Sequence, residues 1–200
     1  MARQAPVRHN TDMTAQAKPQ MTYAEYLAQE ERSESKHEFL RGGVWAMAGG
    51  TPMHSRLQGN CIAALNAALK GKPCGVYSSD LRVRIEATDR STYPDVTVVC
   101  GKLQTATDDS DAVTNPVVII EVLSDSSEAS DRGEKFSHYR RLDSLQEYVL
   151  VNQKSKSVEV FRRSEGIAWA YFPFQEGQPV ELKSIDVTLD ITELYENPNG

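Results

Sequence analysis

The sequence predicts a mixed α/β fold: a curved mixed β-sheet flanked by helices. Two observations carry this expectation. Apolar stripes at helical spacing alternate with short runs rich in β-branched residues, so both secondary-structure periods are present. The order of these segments, helix, hairpin, helix, three strands, helix, strands, suits helices packed against a sheet. With 200 residues, 40% hydrophobic and 25% charged, the chain has the length and apolar content of one globular domain.

The elements follow in order. Residues 1–20 contain Pro6, Pro19 and several Gln without any period, which predicts a disordered tail. Residues 21–196 are expected to form the domain, and residues 197–200 (Asn-Pro-Asn-Gly) a frayed end. Thr22 with Glu25 forms a capping-box pattern for a helix running to about Lys36. Glu38 to Met47 reads as a hairpin turned at Gly42-Gly43. Thr51 and Pro52 open a second helix, whose stripe is Leu57, Cys61, Ala64, Leu65, Ala68 and Leu69; Gly71 and Pro73 end it. Val76 to Glu86 alternates apolar and polar residues and reads as one half-buried strand. Tyr93 to Val99 is the next strand, and the apolar run Val117 to Leu123 is the central one. Asp108-Asp109-Ser110-Asp111 reads as a solvated acidic loop. A third helix spans Asp131 to about Leu142. Glu147–Asn152, Ser157–Arg163 and Ala168–Phe174 complete the strands.

Composition excludes several classes. No apolar run approaches the roughly 18 residues of a transmembrane helix, and the first twenty residues lack the apolar core of a secretory signal. Three cysteines, Cys61, Cys74 and Cys100, are odd in number and show no C-x-x-C, so neither a disulfide framework nor a zinc site is expected. A reducing cytoplasm fits. The net charge of −6 argues against nucleic-acid binding by bulk charge and leaves a local site open.

Glu121 carries the first chemical signal. It sits in Val117-Val-Ile-Ile-Glu-Val-Leu123, and burying an unpaired carboxylate costs several kcal/mol. It must be paired, protonated, metal-bound, or at a solvent-reaching strand end. Asp95 repeats the theme in Tyr93-Pro-Asp-Val-Thr-Val-Val99. Two such acids on adjacent strands raise one pKa unless a cation lies between them, and hard oxygen ligands suit Mg²⁺ or Mn²⁺. In the following helix, at about 100° per residue, Tyr139 lies about 40° and Leu142 about 20° from Lys135. Lys135 thus falls within the apolar arc, where it either snorkels to water or reaches the acid pair.

These residues resemble the PD-(D/E)XK nuclease superfamily and, within it, the large bacterial family called Uma2. The resemblance rests on Glu38-Phe-Leu-Arg-Gly-Gly-Val44, His54, Asp80, Tyr93-Pro-Asp-Val96, Pro116 to Ser124, Asp131-Arg-Gly-Glu-Lys-Phe-Ser-His-Tyr139 and Glu147 to Asn152, over residues 20–195. It implies a restriction-endonuclease-like core and metal-dependent hydrolysis of phosphodiester bonds in DNA. Asp95 and Glu121 would bind Mg²⁺ (or Mn²⁺) with the backbone carbonyl of Val122. Glu38 would be a further ligand or orient water, and Lys135 would position the attacking water. The superfamily's usual lysine, two residues after the glutamate, is here Leu123; Lys135 fits members in which it has migrated to the next helix. Many superfamily members are dimers, which implies a homodimer, for which an exposed sheet edge would serve.

Weaker candidates remain. His54 lies on the extended apolar stripe of its helix, as a core or capping histidine or as a cleft residue. Asp80, Arg82 and Arg84 share a strand face, either solvated or holding phosphate. Residues 132–141 and 154–163 each carry four basic residues against one acidic, a net +3 apiece, and could flank a nucleic-acid backbone. Trp45, Trp169 and Tyr171 are candidates for stacking bases or for packing. The contrasting expectation is a non-catalytic nucleic-acid-binding or assembly module on the same fold, motivated by Leu123 and the acidic balance.

Overall fold

The computed structural model describes residues 20–47 and 49–197; the expected tail, apart from residue 20, and the last three residues lie outside them. Thr22 and Glu25 close a reciprocal capping box on α1 (Tyr23–Glu30). This helix stops short of Lys36. Glu30 accepts from the His37 backbone N–H and pairs with its ring, while Ser33 and Ser35 bond locally, contacts that compete with helix. β1 (His37–Leu40) and β2 (Gly43–Ala46) form the expected hairpin. Its turn is Arg41-Gly42, both at positive φ (46° and 86°), one residue earlier than expected. That register sets Glu38 opposite Trp45, and a one-residue slip would invert which side chains share a face.

Thr51 caps α2 (Pro52–Ala68), which buries Leu57, Cys61 and Leu65. The expected strand Val76–Glu86 is two strands, β3 (Cys74–Ser78) and β4 (Arg82–Ile85). A turn closed by Leu81 N–H to Ser78 C=O separates them. The following strands are β5 (Arg90–Thr92), β6 (Val96–Cys100), β7 (Ala112–Val113) and β8 (Val118–Leu123). A crossover follows: α3 (Glu128–Ser130), a π-helical turn (Asp131–Lys135) and α4 (Phe136–Tyr139). β9 (Glu147–Asn152), β10 (Ser157–Arg163) and β11 (Trp169–Gln175) match expectation closely, and β12 (Pro179–Leu182), β13 (Val187–Asp190) and α5 (Ile191–Leu194) end the fold. The last three elements, like β5 and β7, carry no periodic run long enough to read from sequence.

The single curved sheet of the expectation is two mixed sheets and a ribbon: β2-β1-β5-β4-β7, β11-β10-β9-β8-β6-β3, and β12-β13. The break at Ser79–Leu81 sends β3 and β4 to different sheets, a division no local pattern encodes. β8 is central and wholly buried, antiparallel to β6 and parallel to β9. Its alternation sorts its side chains. Val118, Ile120 and Val122 join the core under α2, α5 and the ribbon. Ile119 and Leu123 join the opposite core with Tyr139, Leu142 and Tyr148 from the crossover side. Glu121 shares the second face, the one the crossover covers.

Cys74 and Cys100 form a disulfide, which corrects the expectation of three free thiols. They are direct partners in the β3–β6 register, a long-range pairing that cysteine spacing does not reveal. Cys61 is free and buried. The disulfide also removes the cysteine argument for a reducing compartment, since disulfides persist mainly in oxidising ones. Among the described residues, no helix is long and apolar enough to cross a membrane.

Candidate active site

Asp95 precedes β6 by one residue, and the β6–β8 register pairs Val96 with Ile120. The next pair outward is Asp95 with Glu121, directly opposite and therefore on one face. The two are tied together: Asp95 N–H donates to Glu121 Oε2 at 3.4 Å, and Val122 N–H donates to Asp95 Oδ2 at 2.7 Å. His54, in the first turn of α2, places Nε2 3.1 Å from Asp95 Oδ2. Gln58, one turn on, donates to the Asp95 carbonyl.

The crossover closes the site from above. Lys135 Nζ lies 3.3 Å from Glu121 Oε1, 3.9 Å from Glu38 Oε1 and 2.8 Å from Asp131 Oδ1. The last is an ion pair without hydrogen-bond alignment, since Asp131 Oδ1 has no hydrogen-bond partner. Tyr139 donates its phenol to Glu121 Oε1 at 2.8 Å. The helical angle therefore pointed Lys135 the right way, although the backbone there is a π turn, a feature frequent at functional sites. Glu38 arrives from β1, held by Arg90 (2.9 Å) and Thr92 (2.5 Å).

The electrostatics are unbalanced. Four carboxylates, Glu38, Asp95, Glu121 and Asp131, meet one lysine, one histidine and the Arg90 guanidinium that holds Glu38. Burial pushes Glu121 up to about 8, with Asp95 and Asp131 adding to the rise and Lys135 opposing it. Burial works against the Lys135 ammonium, yet Glu121, Glu38 and Asp131 hold its pKa above the ordinary range. The hydrogen bond to Asp95 raises His54. Apart from Asp131 and Arg90, these groups open on a cleft of about 830 Å³, lined further by Trp45, Met53, Ser124, Ser127 and the hydrogen-bonded pair Thr51 and Gln153. A hollow of about 910 Å³ on the outer side of α2, near Arg56 and Gly59, holds no acid pair.

The remaining candidates are placed elsewhere. Asp80 is exposed and paired with Lys36. Arg82 is bound to Asp109 and Tyr93. Arg84 pairs with Asp89 and lies over the Tyr23 ring. None of the three lines the cleft. Asp109 is correspondingly 5% exposed, which corrects the reading of a solvated loop at that residue, while Asp108, Ser110 and Asp111 are exposed. The basic stretches are partly paired in place, Arg132 with Glu128 and Glu159, Lys154 with Asp125, Lys156 with Glu176 and Arg162 with Glu147, while Arg140 and Arg141 are exposed and Arg163 donates to backbone carbonyls. Trp169 packs edge-on to Phe136 and Tyr171 donates to Glu159; Trp45 is exposed at the cleft. Sequence reading missed Asp131, Tyr139, Arg90 and Thr92. Asp131 stands four residues before Lys135, an ion-pair spacing on a helix. Arg90 and Thr92 gave no local signal.

Residues 23–192 match a family model described as "Putative restriction endonuclease", Uma2. The chain belongs to the Uma2 family. Two relatives in Synechocystis sp. (strain ATCC 27184 / PCC 6803 / Kazusa) are similar over most of their length. The uncharacterized protein slr1290 is 34% identical over 177 residues, 88% of this chain and 92% of its own. The uncharacterized protein sll1609 is 35% identical over 149 residues, 74% of this chain and 84% of its own. Among solved structures, a "putative nuclease belonging to DUF820" from Anabaena variabilis ATCC 29413 superposes with a TM-score of 0.69 at 19% identity, covering 86% of this chain and 96% of that one. Uma2 membership and the shared fold agree with the resemblance drawn from the sequence motifs.

Proposed function

We propose that this Uma2 protein is a Mg²⁺- or Mn²⁺-dependent nuclease that hydrolyses phosphodiester bonds of DNA at the cleft holding Asp95, Glu121 and Lys135. The observation that carries the reading is the convergence of the two acids from antiparallel neighbours β6 and β8, with an ammonium 3.3 Å from Glu121. A divalent ion fits the residues present. The donors are hard oxygens, and the four carboxylates outnumber Lys135, His54 and Arg90. Among the described residues no three His, Cys, Asp or Glu side chains are grouped to hold a metal. Mg²⁺ is commonly bound by only one or two carboxylates, with waters and substrate phosphate completing its shell. Asp95 and Glu121 would hold it, with the Val122 carbonyl and Glu38 as further oxygens.

When bound, such an ion supplies Lewis acidity and lowers the pKa of water. The protein's own groups prepare the site. His54 and the Val122 N–H orient the Asp95 carboxylate, and Tyr139 fixes that of Glu121. Lys135 is kept charged by its acidic neighbours, so it can hold the attacking water or an equatorial phosphate oxygen as negative charge develops. Burial under the crossover keeps bulk water from competing for these contacts.

The test is cleavage of plasmid and oligonucleotide DNA with Mg²⁺ or Mn²⁺ by wild type, Asp95→Ala, Glu121→Ala and Lys135→Ala. Loss in all three variants is expected; equal activity in all four proteins dismisses the site. A homodimer is part of the same proposal. It is supported by the edge strand β11, whose Tyr171 and Phe172 are exposed, and light scattering at several concentrations checks it.

A further inference from the structure

A second pocket, of about 270 Å³, adjoins the cleft and shares Glu38, Trp45 and Ser130 with it; Phe39, Leu40, Arg90 and Glu134 complete its lining. Trp45 is 56% exposed, an unusual place for an indole unless it meets a partner. Two constraints fix where the ring lies. The hairpin register sets Trp45 opposite Glu38, the acid 3.9 Å from Lys135. The ring also lies against Gly43, where a Cβ would sit 2.3 Å from the indole; any side chain at 43 would displace it. One part of the ring is thus seated on the backbone and the rest is open.

The pocket's polar groups have a definite character. Arg90, 4% exposed, donates to Glu38 (2.9 Å) and Glu134 (3.0 Å), while its buried Nε has no hydrogen-bond partner. An aromatic platform beside a buried donor and two carboxylate acceptors suits a flat heteroaromatic ring with donors and acceptors on its edge. A nucleobase is such a ring. The volume, just below the roughly 300–1,000 Å³ of drug-sized ligand sites, admits one base, and an aromatic platform of this kind stacks a base whose face is free of its own duplex neighbours.

We infer that Trp45 stacks one unpaired base in this pocket, beside the acid pair, so that the substrate class is single-stranded or locally unpaired DNA. This rests on the nuclease reading above and adds to it the form of the substrate. Base–aromatic stacking tolerates any base, because every base has a π-face; the pocket therefore selects strandedness rather than sequence.

The experiment uses the full chain carrying Trp169→Phe, which leaves Trp45 as the only tryptophan. A mixed-sequence DNA 12-mer, single-stranded or annealed to its complement, is titrated with Mg²⁺ while indole fluorescence, anisotropy of a labelled strand and cleavage are followed. The single strand is expected to quench Trp45 and to bind about tenfold or more tighter than the duplex. Adding Trp45→Ala should weaken single-strand binding about tenfold, within the range of one lost stacking contact. Trp45→Phe, which keeps a ring, should restore most of it, and circular dichroism confirms that both variants fold. Unchanged single-strand binding in Trp45→Ala, or equal affinity for both forms, overturns the inference while cleavage continues to support the nuclease. If wild type neither binds nor cleaves either form, both readings fall together.

Discussion

Two glutamates stand on neighbouring parallel strands of the central sheet and both are buried: Glu121 within the apolar run of β8 and Glu147 at the head of the apolar run of β9, 3% and 0% exposed. In sequence each is an acid set against apolar neighbours. Their surroundings differ. Glu147 accepts from Arg162 Nε at 2.7 Å, from the backbone N–H groups of Lys183 and Ser184 at 3.1 Å each, and from the Ser184 hydroxyl at 2.5 Å. Its charge is met by a cation and three neutral donors. Glu121 has one short contact, from Tyr139, and two long ones, from Lys135 and the Asp95 N–H, with two more acids close by. A buried carboxylate with all its acceptor sites answered is structural. One left short of donors beside other acids, facing a cleft, is built for something not in the chain.

The comparison can be broken by substitution. Glu121→Gln should abolish metal-dependent cleavage by at least about a hundredfold, the scale of a lost charged group at a reacting centre, with little loss of melting temperature. Glu147→Ala should do the reverse. It strands Arg162 and three donors and should cost about 3 kcal/mol, read by urea unfolding, with the activity of the folded fraction kept. If Glu147→Ala selectively kills cleavage in folded protein, the distinction fails.

pH sharpens it further. Burial raises the Glu121 carboxyl from 4.5 in the unfolded chain to about 8 in the fold. Folded protein therefore holds a proton that unfolded protein releases, so metal-free stability should be full below about 4.5 and decline as pH rises toward about 8. Thermal melts in EDTA should show this slope in wild type and a flatter one in Glu121→Gln. An identical slope in both would refute the assignment. Adding Mn²⁺ at a hundred times its Kd should stabilise wild type by about 2.7 kcal/mol and leave Asp95→Ala unmoved, as calorimetry can verify independently. The smallest effect is expected at the neutralised surface: Lys156→Ala breaks an exposed pair with Glu176 and should change stability by less than about 1 kcal/mol.

Much of this was legible before any coordinates. β9 and β10 were read to their ends, and α2 through its cap and its N-terminal proline, because each carries its own period and punctuation. Asp95, Glu121 and Lys135 stood out because a charge in an apolar pattern is visible locally. Glu147 shows the limit of that signal: the same rule would have chosen it, and only Arg162 and Ser184, brought in from β10 and the segment after β12, mark it as structural. The one-residue error in the hairpin turn had a similar cause. Gly42-Gly43 and Arg41-Gly42 both suit a tight turn, and packing selected between them, setting Trp45 opposite Glu38.

By itself, the sequence determined which segments are helix or strand, which acids are out of place and which family the motifs resemble, since those properties are written in residues a few positions apart. Tertiary structure decided how the strands divide between two sheets, that Cys74 meets Cys100, that Arg82 and Arg84 serve Asp109 and Asp89 rather than the cleft, and which buried glutamate is left wanting a cation. Most of these depend on partners far along the chain, and the free energy that selects them comes from closing loops and burying surface together, which no short stretch of chain encodes.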